Sequence, residues 1–269
     1  MKDREGLYLG INSVYHECSA TVINAKGKIL AAIEEERLNR VKHAKKARIE
    51  NTLLLPFKAI DSCLEIAKAD FEDLQCIACS FAPKLRFEKN CPSENSASLP
   101  KGVWGTREGE QRFLELNELT PTVIEKWYQS KISERFHFIP HHRCHLASAF
   151  YPSPFEEALV LSIDGIGEWS STAIARGSEQ GIEILDQEHY PNSIGFLWEK
   201  FTDFLGFHRN NDECKVMGLA SYGDPKVYEE AFRELYQIKD GHFNLNEERL
   251  RFRSEEDFDG LEELFGKRR

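Results

Sequence analysis

Three short apolar runs follow one another at the start of the chain, residues 7–12, 20–24 and 28–33, with Ala25-Lys26-Gly27 between the last two. Runs of this length are too short for helices, and a glycine turn joins them most simply as an antiparallel meander. Leu53, Leu54, Phe57, Ile60, Cys63, Leu64 and Ile66 then fall at a helical period, predicting a helix over residues 52–67 that tolerates Pro56 near its start. A strand is expected over residues 74–82. Residues 158–163, 171–175 and 182–185 form a second strand-rich block, a structural echo of the first without a tandem repeat.

The chain between these blocks reads less regularly. Residues 82–109 carry Pro83, Pro92 and Pro100 among serines, lysines and asparagines, which suggests a long insertion or lid. Helical character returns over residues 110–129 with a break at Pro121, and residues 136–140 read as a strand. Beyond Pro191, helices are expected over 194–205, 214–222 and 226–238. The charged tail from 247 to 269 is too sparsely apolar for its own core and is expected to pack on something else, a part that this chain lacks being one option. The two blocks give 1–150 and 151–269 as subdivisions of one domain spanning 1–269.

With 269 residues, 41% of them apolar, the chain can bury a substantial core. Thirty-five basic residues against forty-five acidic ones give a net charge of −10, which argues against nucleic-acid or membrane binding driven by bulk charge. The first residues lack the apolar core of a signal peptide, and no run approaches the roughly 18–20 apolar residues of a membrane span, so a soluble cytoplasmic protein is expected. Seven cysteines show no framework spacing. Cys76 and Cys79 form a C-x-x-C inside the expected strand, where alternation separates their side chains; buried reduced thiols are the simpler reading, metal or redox use the other.

The densest chemistry lies in Pro140-His141-His142-Arg143-Cys144-His145. On a helix, His141 and His145 project from one face a turn apart, as two imidazoles sharing a cation require. A surface or capping histidine cluster has the same spacing. Asp164 ends a strongly apolar strand, where a carboxylate needs a cation or donors to meet it. Two imidazoles and a carboxylate suit iron or zinc better than magnesium.

Asp164-Gly165-Ile166-Gly167 followed by Ser170 is either a tight hairpin or a phosphate cradle built from the Gly165 and Gly167 amides and the Ser170 hydroxyl. Gly10 and Asn12, with His16 behind them, repeat that theme near the N-terminus. The charge run from Glu34 to His43 reads as a solvated face or, through Arg37, Arg40 and Lys42, as fixed positive charge for an anionic substrate.

In series, LGINSVYHECSATVI, AAIEEERLNRVKH, HHRCHLASAFYPSPF, LSIDGIGEWSST and KVMGLASYG resemble the N-terminal half of the carbamoyltransferase family that includes nodulation-factor and aminoglycoside O-carbamoyltransferases. They span residues 9–223 in the family's order. This chain reads His16-Glu17-Cys18-Ser19 where the family usually has His-Asp-Ser-Ser.

The resemblance implies an α/β, actin-like and Hsp70-like ATPase fold (ASKHA, ribonuclease-H-like) with an incomplete second half. It implies transfer of a carbamoyl group from carbamoyl-adenylate, made from carbamoyl phosphate and ATP, to a hydroxyl of a small-molecule acceptor. His141, His145 and Asp164 match ligands of the family's iron site, filled by Fe(II) or another divalent metal. His16 matches a histidine near the transferring group, a candidate general base. Arg40 and Lys42 fall near the phosphate or carbamoyl group, and Gly10, Asn12, Gly165, Gly167 and Ser170 are candidates for binding substrate or phosphate. The family is roughly twice as long, so the missing C-terminal half or adenylate-forming domain is an implied partner, a separate chain being one source. Two competing readings are a tRNA threonylcarbamoyl-transfer relative and a non-catalytic binding subunit or truncated remnant.

Overall fold

The computed structural model describes residues 6–89, 102–252 and 257–269, and it divides into two compact units, residues 1–151 and 152–269. In the first unit, β1 (Leu7–Asn12), β2 (Ser19–Asn24) and β3 (Ile29–Glu34) form the expected antiparallel meander. Period-2 alternation turns Leu7, Leu9, Ile11, Ala20 and Val22 into the core. At the β2–β3 turn, the Asn24 side-chain oxygen accepts hydrogen bonds from the Lys26 and Lys28 amides.

A single helical turn, α1 (Glu36–Asn39), ends on Arg40 in the left-handed region. Helix α2 (Phe57–Ala67) begins five residues later than its periodicity suggests. The residue before a proline is pushed out of helical backbone, so the helix starts only beyond Pro56. Its Ala59, Ile60, Cys63 and Leu64 are buried, and it packs on β2 and β3. Strand β4 (Leu74–Cys79) runs parallel to β1, placing Leu9 beside Ile77.

The insertion is more ordered at its ends than its composition suggests. Residues 83–89 form helix α3 (Pro83–Lys89), with the proline in the first turn, where a missing amide proton costs little. Residues 90–101, the centre of the expected lid, lie outside the described residues. Helix α4 (Arg107–Glu118) is capped by Thr106, whose Oγ1 accepts from the Gly109 amide, and α5 (Thr120–Tyr128) follows the break at Leu119. Arg86 of α3 donates Nε and Nη2 to the two carboxylate oxygens of Glu110 in α4, at 2.8 and 2.7 Å, with both side chains buried. Strand β5 (Phe136–Phe138) pairs parallel to β4, and α6 (His141–Phe150) closes the unit. The order β3-β2-β1-β4-β5, with only β2 reversed, is the ribonuclease-H-like arrangement expected of an actin-like ATPase half.

The second unit opens with another meander, β6 (Ala158–Ile163), β7 (Ser170–Ser178) and β8 (Gly181–His189). Helix α7 (Ile194–Phe204) is capped by Ser193, and α8 (Glu213–Ala220) follows. The expected helix over 226–238 is not continuous. A 3-10 turn at Pro225–Tyr228 leads into the short α9 (Glu229–Arg233), and then β9 (Tyr236–Lys239) pairs with β10 (His242–Leu245). Asp240 and Gly241 turn that hairpin with φ of 53° and 86°, the positive values that favour an Asp-Gly pair.

Nor is the tail left to a partner. With α10 (Glu247–Leu250) and α11 (Asp259–Phe265), it buries Leu250, Phe258 and Leu261 against Phe204 and Leu235 of its own unit. Among the described residues, no helix is long and apolar enough to cross a membrane.

Candidate functional site

The histidine pair is set up by the start of α6. Pro140 leads the chain out of β5, and His141 and His145 fall one turn apart, with their Nε2 atoms 3.0 Å from each other. Nδ1 of His141 lies 3.1 Å from the Ser80 carbonyl oxygen, just past the end of β4. That nitrogen therefore carries the proton, leaving the Nε2 lone pair for a ligand or neighbour. His142 is buried, with its ring edge-on to those of His141 and His145 at centroid distances of 6.0 and 6.1 Å.

Ser80 also connects the pair to the loop between β1 and β2. Its hydroxyl donates to Asn12 Oδ1 at 2.8 Å, and Asn12 Nδ2 donates to the Glu17 carbonyl at 2.9 Å and to that of His16 at 3.4 Å. Asn12, a candidate binding residue, thus holds the shape of the His16 loop. Gly10 lies within β1 opposite Thr21. Arg40 and Lys42 are exposed beside this loop system.

The β1–β2 loop is secured to the segment that follows α1. The Glu17 amide donates to the His43 carbonyl at 2.8 Å, and the His43 amide donates to Glu36 Oε2 at 2.7 Å. Beneath them the ammonium of Lys45 is buried, donating to the carbonyls of Ser13, Asn51, Thr52 and Leu54. Burial holds its pKa below the ordinary lysine value, with the nearby Cys18 opposing. Tyr15, beside His16, accepts a 3.0 Å hydrogen bond from Arg86 Nη1 and packs edge-on to Phe81 and Trp104.

Asp164 belongs to the second unit, at the end of β6. Its Oδ1 accepts from the Gly165 amide at 2.7 Å, and its own amide donates to Ser171. The Gly167 amide donates to the Ser170 carbonyl, and the buried Ser170 hydroxyl accepts from Gln187 Nε2. Gly165, Gly167 and Ser170 therefore first serve to close the hairpin. The start of α7 approaches this turn closely: a Cβ on Gly195 would stand 2.5 Å from the Gly165 nitrogen, so only glycine fits there. Ser193 Oγ donates to the Gly165 carbonyl at 2.6 Å.

Several participants were not singled out in the sequence. Glu199 of α7 lies against Gly165, and burial, reinforced by Glu213, Asp164 and Asp203 and opposed by Arg209, pushes its pKa up to about 8. The sequence does not distinguish it, because Lys200, Thr202 and Asp203 follow it in the same helix. Glu17, His43 and Lys45 gave no signal, because loops carry them together from separate stretches. The six described cysteines, Cys76 and Cys79 among them, form no disulfide with one another.

The model of the carbamoyltransferase N-terminus family matches residues 7–269. Nodulation protein NolNO of Sinorhizobium fredii is 33% identical over 236 residues, covering 85% of this chain and 31% of that protein. The uncharacterized protein sll1178 of Synechocystis is 34% identical over 245 residues, covering 88% and 38%. The chain thus spans about a third of the length of these relatives. YeaZ from Pseudomonas aeruginosa superposes with a TM-score of 0.36 at 10% identity, over 69% of this chain and 68% of that one, a likeness too low to carry an argument. The chain belongs to the carbamoyltransferase N-terminus family.

Proposed function

We propose that this chain is the transfer portion of an O-carbamoyltransferase, moving a carbamoyl group from carbamoyl-adenylate to a hydroxyl of a small-molecule acceptor. The observation that carries the reading is the hydrogen-bonded path from His141 through Ser80 and Asn12 to the His16 loop. It ties a metal-type histidine pair to a potential base. Family membership and the likeness to a nodulation protein support the transferase class.

In this reading, His141 and His145 of the first unit would hold Fe(II) or a related divalent cation. The donor set fits: His141 already has its Nδ1 proton directed to a carbonyl, which presents Nε2 as a ligand. When bound, such a cation supplies Lewis-acid polarisation of a carbonyl or phosphoryl oxygen. His16 takes the proton of the acceptor hydroxyl as its oxygen attacks the carbamoyl carbon. The bond from that carbon to the adenylate oxygen breaks, and AMP departs with the bonding pair. Arg40 and Lys42 offset the negative charge of the phosphate, with Gly10 and Asn12 of β1 as further candidates for binding it. ATP and carbamoyl phosphate are the co-substrates, and the adenylate comes from sequence beyond the matched third.

Elemental analysis of the purified chain tests the centre directly. Replacing His141 and His145 together by Ala removes about one equivalent of bound metal; full retention rejects the site. Supplying ATP, carbamoyl phosphate and an adenylate-forming partner then yields carbamoylated acceptor with the wild type but not with the double variant.

A further inference from the structure

Glu17 stands between two imidazoles. Its Oε1 is 3.2 Å from His43 Nδ1 and its Oε2 is 3.9 Å from His16 Nδ1, with the two rings edge to face at 5.7 Å. One ligand-type atom from each of the three residues lies within 4.8 Å of the others. We propose that His16, Glu17 and His43 form a second divalent-cation site, distinct in its residues from the histidine pair on α6.

Two imidazoles and one carboxylate form a three-ligand set that leaves positions open for water or a substrate oxygen. Mixed nitrogen and oxygen donors select zinc, cobalt or iron over magnesium and calcium. The side chains are 32%, 61% and 20% exposed, with the His16 Nδ1 atom itself buried.

The backbone reinforces this geometry. Glu17, His43 and Ala44 have φ of 55°, 59° and 66°, left-handed values costing about 1–2 kcal/mol for residues with a Cβ. The Glu17-to-His43 backbone bond and the buried Lys45 hold the two loops in that form. A solvated ion pair between flexible side chains requires none of this. A hydroxyl bound to such a cation loses its proton more readily, and an imidazole engaged as a ligand is not free to act as base. Metal occupancy here would therefore move acceptor activation from His16 to the cation.

The loop site itself does not depend on the α6 pair, whereas its consequence for acceptor activation rests on the proposed transfer reaction; one titration separates them. Wild-type chain titrated with Co(II) should take up about two equivalents, with visible absorption of nitrogen and oxygen ligation and no thiolate charge-transfer band. Glu17→Gln and His43→Asn should each lower this to about one equivalent, and adding His145→Ala should remove that remainder. A wild-type uptake of only one equivalent that Glu17→Gln abolishes upholds the loop site while rejecting the α6 pair. Uptake unchanged in both Glu17→Gln and His43→Asn, or no uptake by the wild type, overturns the loop site. Glu17→Gln keeps the size of the side chain, so it decides the matter should His43→Asn fail to fold.

Discussion

In the first unit the opening meander is enclosed: β1 pairs with β2 on one side and with β4 on the other, while α2 packs on β2 and β3. In the second unit β6 pairs only with β7, among the described residues, and its Leu159, Leu161 and Ile163 are 76%, 59% and 51% exposed. Their neighbours Val160 and Ser162 are buried on the opposite face. A meander thus supplies two faces and an edge, and becomes a closed core only when a crossover strand and a helix arrive. A row of exposed aliphatics on an edge strand is costly in an isolated sheet.

Three measurements can break or sharpen this contrast. The largest effect is expected at Leu9, fully enclosed in β1: Leu9→Ala should cost about 2–5 kcal/mol of unfolding free energy in urea. A loss below about 1 kcal/mol would mean that the first core is much looser than described.

An intermediate effect concerns the buried ammonium groups. Lys45 meets four carbonyls, whereas Lys200 is buried over the Phe258 ring, with its pKa lowered by burial and by Arg209 from 10.5 to about 8, Asp257 and Asp203 opposing. Between those two values the unfolded chain binds more protons than the folded one, so Lys200 makes stability rise with pH across that window. The slope reaches at most about 1.4 kcal/mol per pH unit. Lys200→Met should remove this contribution; an unchanged profile would show that the ammonium is hydrated.

The smallest effect is expected on the open face, where Leu161→Ala should alter stability by no more than about 0.5 kcal/mol. A cost like that at Leu9 would erase the difference between the sheets.

Much of this architecture was legible because it is local. The alternation of Leu7, Leu9 and Ile11, the turn at Gly27 and the helical period from Phe57 all declare themselves within a few residues. The His141–His145 contact was readable for the same reason, since one helical turn fixes it. The β9–β10 hairpin was missed although Asp240-Gly241 is a strong turn signal, because the preceding period was extended too far as a helix. Helix α3 was hidden by the composition around it, its partner Glu110 lying 24 residues downstream of Arg86. Glu17 and His43 are 26 residues apart and meet only through two left-handed loops, for which no periodicity exists.

The Arg86–Glu110 clamp governs how this chain can diverge. It fastens both shoulders of the insertion to each other and, through Tyr15, to the loop that carries His16. Substitutions between Arg86 and Glu110 in the sequence can therefore accumulate while the loop that carries His16 keeps its registration.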